Sequence, residues 1–229
     1  MLKQPVISVV IPVYNTEKYL ACAIESVLDQ KGNFALDLIV LDDGSTDKTA
    51  EIAKSFGNRL RYIYQTNSGI SATRNAGIKA AQGDFIAFLD ADDYWTENKL
   101  SLQIHAFEMD TSLDIVFGQI QQFLSPELSP EAKAKLVCDS KIMPGYHAST
   151  LMIRKESLSK VGFFNPELRA GEFLDWYGRA KNIGLKISVL PELLAMRRLH
   201  ETNYGIVQRK VYEDYFKMLK LAMDRKKNS

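Results

Sequence analysis

The sequence predicts an α/β fold, a mostly parallel sheet with helices on both faces. Over the first hundred residues, strand-like and helix-like patterns alternate with short loops between them. The strand segments are continuously apolar rather than alternating, which marks strands covered on both sides. The alternating helices supply that cover.

Each element has its own signal. "ISVVIPV" (7–13) is a β-branched run bounded by Pro12 and Asn15. From Thr16 onward Leu20, Ile24, Val27 and Leu28 recur at helical spacing, and Gly32 should end that helix. "LDLIVLDD" (36–43) is a second strand, and "STDKTAEIAKSF" opens with capping residues and sets Ile52, Ala53 and Phe56 on one face. "LRYIYQ" (60–65) reads as a third strand, "SATRNAGIKAA" as a short helix closed by Gly83, and "FIAFLD" as a fourth strand. A helix is expected from about Thr96, with His105 on its apolar face.

The second half is less regular. "DIVFGQIQQF" reads as a strand, 125–137 as a polar loop or short helix, and "ASTLMIRK" as a strand followed by a helical turn. "GEFLDWYGRAKNIGL" is a helix ending at Gly184, and "KISVLPELLAMRRL" is strand-like with a break at Pro191. With no repeat, low-complexity tract or Gly/Ser-rich linker, 1–229 reads as a single domain with a regular half at 1–100, a less regular one at 101–205, and a C-terminal segment at 206–229.

Ligands of such sheets bind beyond the carboxyl ends of the strands, at one rim. The unusual polar residues fall there: Tyr14 and Asn15 after the first strand, Asp42 and Asp43 after the second, Asp90 to Asp93 after the fourth. In "GDFIAFLDADDYW" three aspartates follow an apolar run within four positions. Capping of the next helix would account for one of them but hardly three. Alternate residues of an extended chain point the same way, so Asp90 and Asp92 can share a divalent cation that needs clustered carboxylates, Mn²⁺ or Mg²⁺.

In "LDDGSTD" the acids are either turn residues or acceptors for a base N–H or a ribose hydroxyl. Arg74, in "SGISATRNAG", either pairs with a diphosphate or braces an aspartate, while Asn75 and Gly77 read as helix-packing residues. His200, in "RRLHETNYG", sits among polar residues just past a strand and can serve as a further ligand to metal or diphosphate. His105 and His147 lack such company and read as structural.

Composition narrows the classes. A net charge of +1 in 229 residues gives no bulk electrostatic case for nucleic-acid binding. No segment reaches the roughly 20 apolar residues of a membrane helix. The apolar N-terminal run is broken by Pro12, Asn15, Glu17 and Lys18, so it reads as a strand rather than a secretion signal. Cys22 and Cys138 show no metal spacing, in keeping with a reducing, cytoplasmic location.

Together "SVVIPVYNTEKYLACAIESVLDQ", "LIVLDDGSTDKTAEI", "NSGISATRNAGIKAAQGDFIAFLDADD" and "RRLH" resemble the family 2 glycosyltransferases of GT-A fold, densely over residues 6–100 and more thinly over 101–205. The resemblance implies a nucleotide-sugar donor, UDP-linked by expectation, a divalent metal and transfer with inversion to a saccharide or lipid-linked acceptor. By position Pro12, Tyr14 and Asp43 would surround the base and Asp90 would sit by the ribose, with Asn15 and Arg74 in the same donor site. Asp92 would bind the metal, with His200 as a further contact. The glycine-rich "GGxGTR" loop expected of sugar nucleotidyltransferases is absent.

An inverting transfer needs a carboxylate to take the acceptor's proton. The family usually supplies it from a Glu-Asp pair opening a helix, but "GEFLDWYGRA" has Phe173 in the second position. Glu172 is the expected base, with Asp175 in support or as its substitute. A module of the same fold that binds sugar nucleotides without turnover is the rival that Phe173 sustains. A receiver-type α/β domain would need a facing lysine on a late strand, and the sequence offers none in place.

"YEDYFKMLKLAMDRKKNS" puts Tyr212, Tyr215, Phe216, Leu219 and Met223 at helical spacing beside Lys217, Lys220 and Arg225 to Lys227. It reads as a terminal helix packed on the domain or as a peripheral membrane contact.

Overall fold

A computed structural model describes residues 4–168 and 170–203; the C-terminal helix expected over 206–229 lies outside them. Among the described residues nine strands form one sheet in the order β3-β2-β1-β4-β8-β6-β9-β5, with β7 paired to β6.

β1 (Val6–Val13) lies centrally, parallel to β2 (Ala35–Asp42) on one side and to β4 (Phe85–Phe88) on the other; β3 (Arg61–Tyr64) continues beyond β2. Helices α1 (Leu20–Leu28), α2 (Thr49–Ser55) and α3 (Ile70–Ala80) make the crossovers. The first helix starts at Leu20 rather than Thr16, whose carbonyl accepts from Tyr19 N and Leu20 N at 3.0 Å each. Strand order reverses between β1 and β4, the place where open α/β sheets leave a crevice. The last β1–β4 pair is Val10↔Phe88, so Pro12 falls where β4 has already diverged and its missing N–H breaks no ladder there.

The residues of β1 alternate between two cores. Ile7, Val9, Ile11 and Val13 pack with Leu20, Ile24 and Val27 of α1 and with Leu100, Ile104 and Phe107 of α4 (Lys99–Met109). Val10 packs with Ile78 of α3, Leu158 of α6 (Lys155–Val161) and Trp176 of α7 (Glu172–Asn182). Each such buried aliphatic side chain contributes about 1.5–3 kcal/mol relative to exposure. Gly77 lets α3 lie directly on β1, because a Cβ there would come within 2.3 Å of Val10 Cγ1. Any larger residue at position 77 would lift that helix off the sheet.

Beyond β4 the sheet becomes mixed. β8 (Met152–Arg154) is antiparallel to β4, and β6 (Ile115–Leu124) is antiparallel to β8 and parallel to β9 (Ile187–Leu199). The long ladders are the parallel ones. Pro191 does not end β9; the β6 register shifts around it, between Phe117↔Val189 and Gln119↔Leu193. Two elements were invisible in the sequence, the two-residue strands β5 (Tyr94–Trp95) and β7 (Met143–Pro144), while the 125–137 stretch holds helix α5 (Pro130–Lys135). β5 pairs antiparallel with β9 at Tyr94↔Met196 and Trp95↔Ala195, drawing the aspartate turn beside Arg198 and His200.

His105 corrects an expectation: α4 buries Leu100, Gln103, Ile104 and Phe107, so position 105 turns outward with a side chain 69% exposed. Among the described residues, no helix is long and apolar enough to cross a membrane.

Candidate active site

The loops after β1 and β2 are stapled together. Asn15, at φ 51°, donates its N–H to Ser45 Oγ at 3.0 Å and accepts Thr46 N–H on Oδ1 at 2.8 Å. A short amide side chain tolerates that left-handed backbone. Asp42 Oδ1 accepts Ser45 N–H at 2.8 Å and its Oδ2 accepts the Tyr62 hydroxyl at 2.6 Å. Asp43 holds the entry to α3, accepting Gln65 Nε2 at 2.7 Å, Ser68 N–H at 2.8 Å and Gly69 N–H at 2.9 Å. Pro12 is buried beneath this rim, and Tyr14 stands on it 51% exposed.

The three aspartates do not lie on an extended chain. Strand β4 ends at Phe88, and a turn follows in which Asp93 N–H bonds Asp90 O at 3.0 Å. The shared-face argument for Asp90 and Asp92 is therefore corrected: each carboxylate takes its own partners. None caps α4, whose cap, Asn98, makes no side-chain bond.

Asp90 meets Arg74 Nη2 at 2.8 Å, and Arg74 Nη1 reaches on to Glu172 Oε1 at 2.5 Å. Burial alone would raise the Asp90 carboxyl, but Arg74 and His147 outweigh it and hold the carboxyl below its ordinary value. Burial likewise works against the Arg74 cation, yet Asp90 and Glu172 keep it above the usual arginine value. Of the two roles open to Arg74, the bracing one is present in the geometry.

Asp93 is buried, with Ser149 Oγ donating to Oδ2 at 2.8 Å and Arg198 N–H donating to Oδ1 at 3.0 Å. Burial, with Asp92 and Asp90 close by, raises its carboxyl well above the usual range. Asp92 Oδ2 faces His200 Nε2 at 3.1 Å and Asn203 Nδ2 at 2.9 Å, while Arg198 Nε holds the Asp92 carbonyl at 2.9 Å. His200 Nδ1 meets Thr202 Oγ1 at 2.9 Å, and its ring packs on Tyr19 at 4.7 Å.

Two groups can be tested for a cation. Octahedral bonds of about 2.1 Å separate neighbouring ligand atoms by about 3.0 Å. Asp92 Oδ2 and His200 Nε2, 3.1 Å apart, match that edge, a separation that a hydrogen bond between them also gives; Asn203 Nδ2 sits against both, at 2.9 Å and 3.1 Å, and a cation would take its place. Asp90, Asp93 and His147 also offer ligand atoms within 4.8 Å of one another. They fit less well. His147 Nε2 lies 3.8 Å from Asp90 Oδ2, His147 Nδ1 already accepts Ser149 N–H at 3.3 Å, and both Asp93 oxygens are engaged.

Helix α7 separates its two acids. Glu172 presents Oε1 to Arg74, and no hydrogen bond to Oε2 exists among the described residues. Asp175 is buried and accepts Arg179 Nε at 3.1 Å, while the same guanidinium donates to Val161 O at 2.5 Å and Phe163 O at 2.6 Å. Phe173 turns into the core against Phe117 and Trp176.

The structure adds residues the sequence reading passed over. His147 is no bystander: it faces Asp90, packs 6.4 Å from the Phe173 ring, and burial pushes it down to about 4. Arg197 is close enough to influence both Asp90 and His147. Asn203 ties Asp92 to His200 and to Arg198 O at 3.2 Å. For Arg197 and Asn203 the only sequence signal was proximity to "RRLH", and for His147 there was none.

The fold is that of the GT-A glycosyltransferases, and the family its sequence matches makes the chain a glycosyltransferase. The chain belongs to glycosyl transferase family 2, whose pattern residues 8–162 match. An uncharacterised glycosyltransferase of Rickettsia typhi is 30% identical over 226 residues, covering 91% of this chain and 70% of its own. One of Haemophilus influenzae is 35% identical over 176 residues, 72% of this chain and 68% of its own. Among solved structures, S. aureus TarS superposes with a TM-score of 0.73 at 26% identity, covering 94% of this chain. The chain spans 38% of that TarS chain. TarS residues 1–349 have also been solved with UDP and with UDP-GlcNAc, and match at TM-scores of 0.71 and 0.69.

Proposed function

We propose that this chain transfers a sugar from a UDP-sugar to an acceptor hydroxyl with inversion, in a reaction that depends on Mn²⁺ or Mg²⁺. The observation that carries the reading is the Asp92–His200 pair, spaced for one cation and set beside the Arg74–Asp90–Glu172 chain. The TarS complexes with UDP and UDP-GlcNAc support the choice of donor.

In this reading Tyr14, Pro12 and Asp43 receive the base, with Asn15 fixing their loop and Asp90 beside the ribose. A cation bound by Asp92 and His200 would neutralise the diphosphate of the donor. Glu172 takes the acceptor's proton on Oε2 while Arg74 fixes its other oxygen. The acceptor oxygen bonds the anomeric carbon as the carbon–oxygen bond to diphosphate breaks, and its electron pair leaves with UDP. Asp175, engaged with Arg179, steadies α7. The acceptor belongs to cell-surface polysaccharide or glycoconjugate synthesis and is reached at the inner membrane face.

The second reading, binding without turnover, draws on Phe173, which fills the usual acidic position with a core side chain. A thermal-shift panel of nucleotide diphosphates and sugar nucleotides, with and without Mn²⁺, identifies the donor, since the tightest ligand gives the largest shift. Release of UDP from that donor then separates the readings. Binding without any release would leave only the second.

A further inference from the structure

We propose that Tyr146 is a stacking platform for a sugar ring of the acceptor, so the acceptor is a saccharide rather than an open-chain alcohol. This inference rests on the transfer reading above. Tyr146 is 46% exposed, although its ring packs at 5.6 Å from Phe117 and 5.3 Å from Tyr177. Support from two neighbouring rings with nearly half the residue still in solvent leaves an aromatic surface for a ligand.

The backbone on either side is fixed. Gly145 N–H bonds Gly118 O at 2.9 Å, the Thr150 hydroxyl donates to Gly145 O, and His147 N–H bonds the same carbonyl at 2.7 Å. A Cβ at position 145 would come within 2.7 Å of Gly118 O, so the close approach requires glycine. A ring held this way loses little freedom when a ligand arrives.

Its position is the second argument. The next residue, His147, faces Asp90 at 3.8 Å. Phe117 connects Tyr146 to Phe173 at 6.3 Å, and Tyr177 stands one turn beyond Phe173 on the helix that Glu172 opens. The platform therefore stands one residue from the Asp90-facing His147 and against Tyr177 of the helix that the proposed base opens. A pyranose suits it: one face is a row of C–H groups that lies flat on an aromatic ring, while the hydroxyls stay at the edge in water.

The test uses the intact chain and the donor chosen by thermal shift. UDP release is measured with methyl α- and β-pyranosides of glucose, galactose, mannose and N-acetylglucosamine, and with glycerol and ribitol as open-chain controls. We expect at least one glycoside, and neither polyol, to accelerate release with saturation. Tyr146→Ala should raise that glycoside's KM about tenfold, the order expected for losing one stacked ring. Its UDP affinity and glycoside-free release should match the parent, with a melting temperature lower by only a few °C from the lost packing on Phe117 and Tyr177. Tyr146→Phe should keep the KM within about twofold, whereas Tyr146→Leu, with bulk but no ring, should not. Equal KM values for parent and Tyr146→Ala, full activity in Tyr146→Leu, or acceleration by polyols alone would overturn the platform while leaving transfer intact. A parent that binds UDP but releases none from any donor would overturn the transfer reading, and the platform with it.

Discussion

Arg74 and Glu172, 98 residues apart in sequence, meet at 2.5 Å, with the guanidinium almost wholly buried. The contact joins α3 of the first half to α7 of the second. Arg74 also holds Asp90, so one cation fixes a carboxylate of the donor rim and the proposed base together.

Arg74→Gln leaves those two carboxylates facing each other without a counter-charge. Breaking a buried pair from one side costs about 3–5 kcal/mol, or roughly 6–20 °C in melting temperature for a chain of this size. Arg74→Lys keeps the charge and loses the fork, so it should fall between. A melt of Arg74→Gln within 1 °C of the parent would show that the contact carries no such weight.

Glu172→Gln should slow transfer by about 10²-fold or more and leave donor affinity nearly unchanged, because an amide cannot accept the proton. Asp175→Asn should weaken its contact with Arg179 and lower the melting temperature with a smaller effect on rate. Steady-state kinetics on both variants checks this. A rate collapse in Asp175→Asn alone would transfer the role.

Lys99 gives a pH prediction remote from the site. Its ammonium is fully buried, bonded to Gln103 Oε1 at 2.7 Å and 4.0 Å over the Trp95 ring, and burial lowers its pKa well below that of a free lysine. Between the lowered folded value and the ordinary value near 10.5, the unfolded chain binds the extra proton, so the parent gains stability as pH rises through that window. Lys99→Met has no proton to gain or lose. Its stability relative to the parent should be greatest at low pH and decline as pH rises toward the ordinary lysine value. Parallel melting curves from pH 6 to 10 would contradict the assignment.

The parallel half of the fold was legible because β1, β2 and β4 are buried on both faces and spell it as unbroken apolar runs. Asn75, expected to pack, does so on a distant partner, accepting Phe164 N–H at 2.8 Å and donating to Phe164 O at 2.9 Å. What escaped was set by distant pairing. β5 exists only because β9 lies beside it, and two residues carry no period. The aspartate turn looked extended because nothing nearby in sequence announces its Asp93–Asp90 bond. His147 lacked acidic company in the sequence and finds Asp90 only through the β4–β8 pairing.

The most direct measurement is calorimetric titration of UDP into the intact chain with Mn²⁺ and then with EDTA, repeated on Asp92→Asn. The account predicts saturable one-site binding to the parent with Mn²⁺, weakened at least about tenfold by either change, or about 1.4 kcal/mol. Equal affinity under all these conditions would contradict a donor site built on Asp92, His200 and a cation.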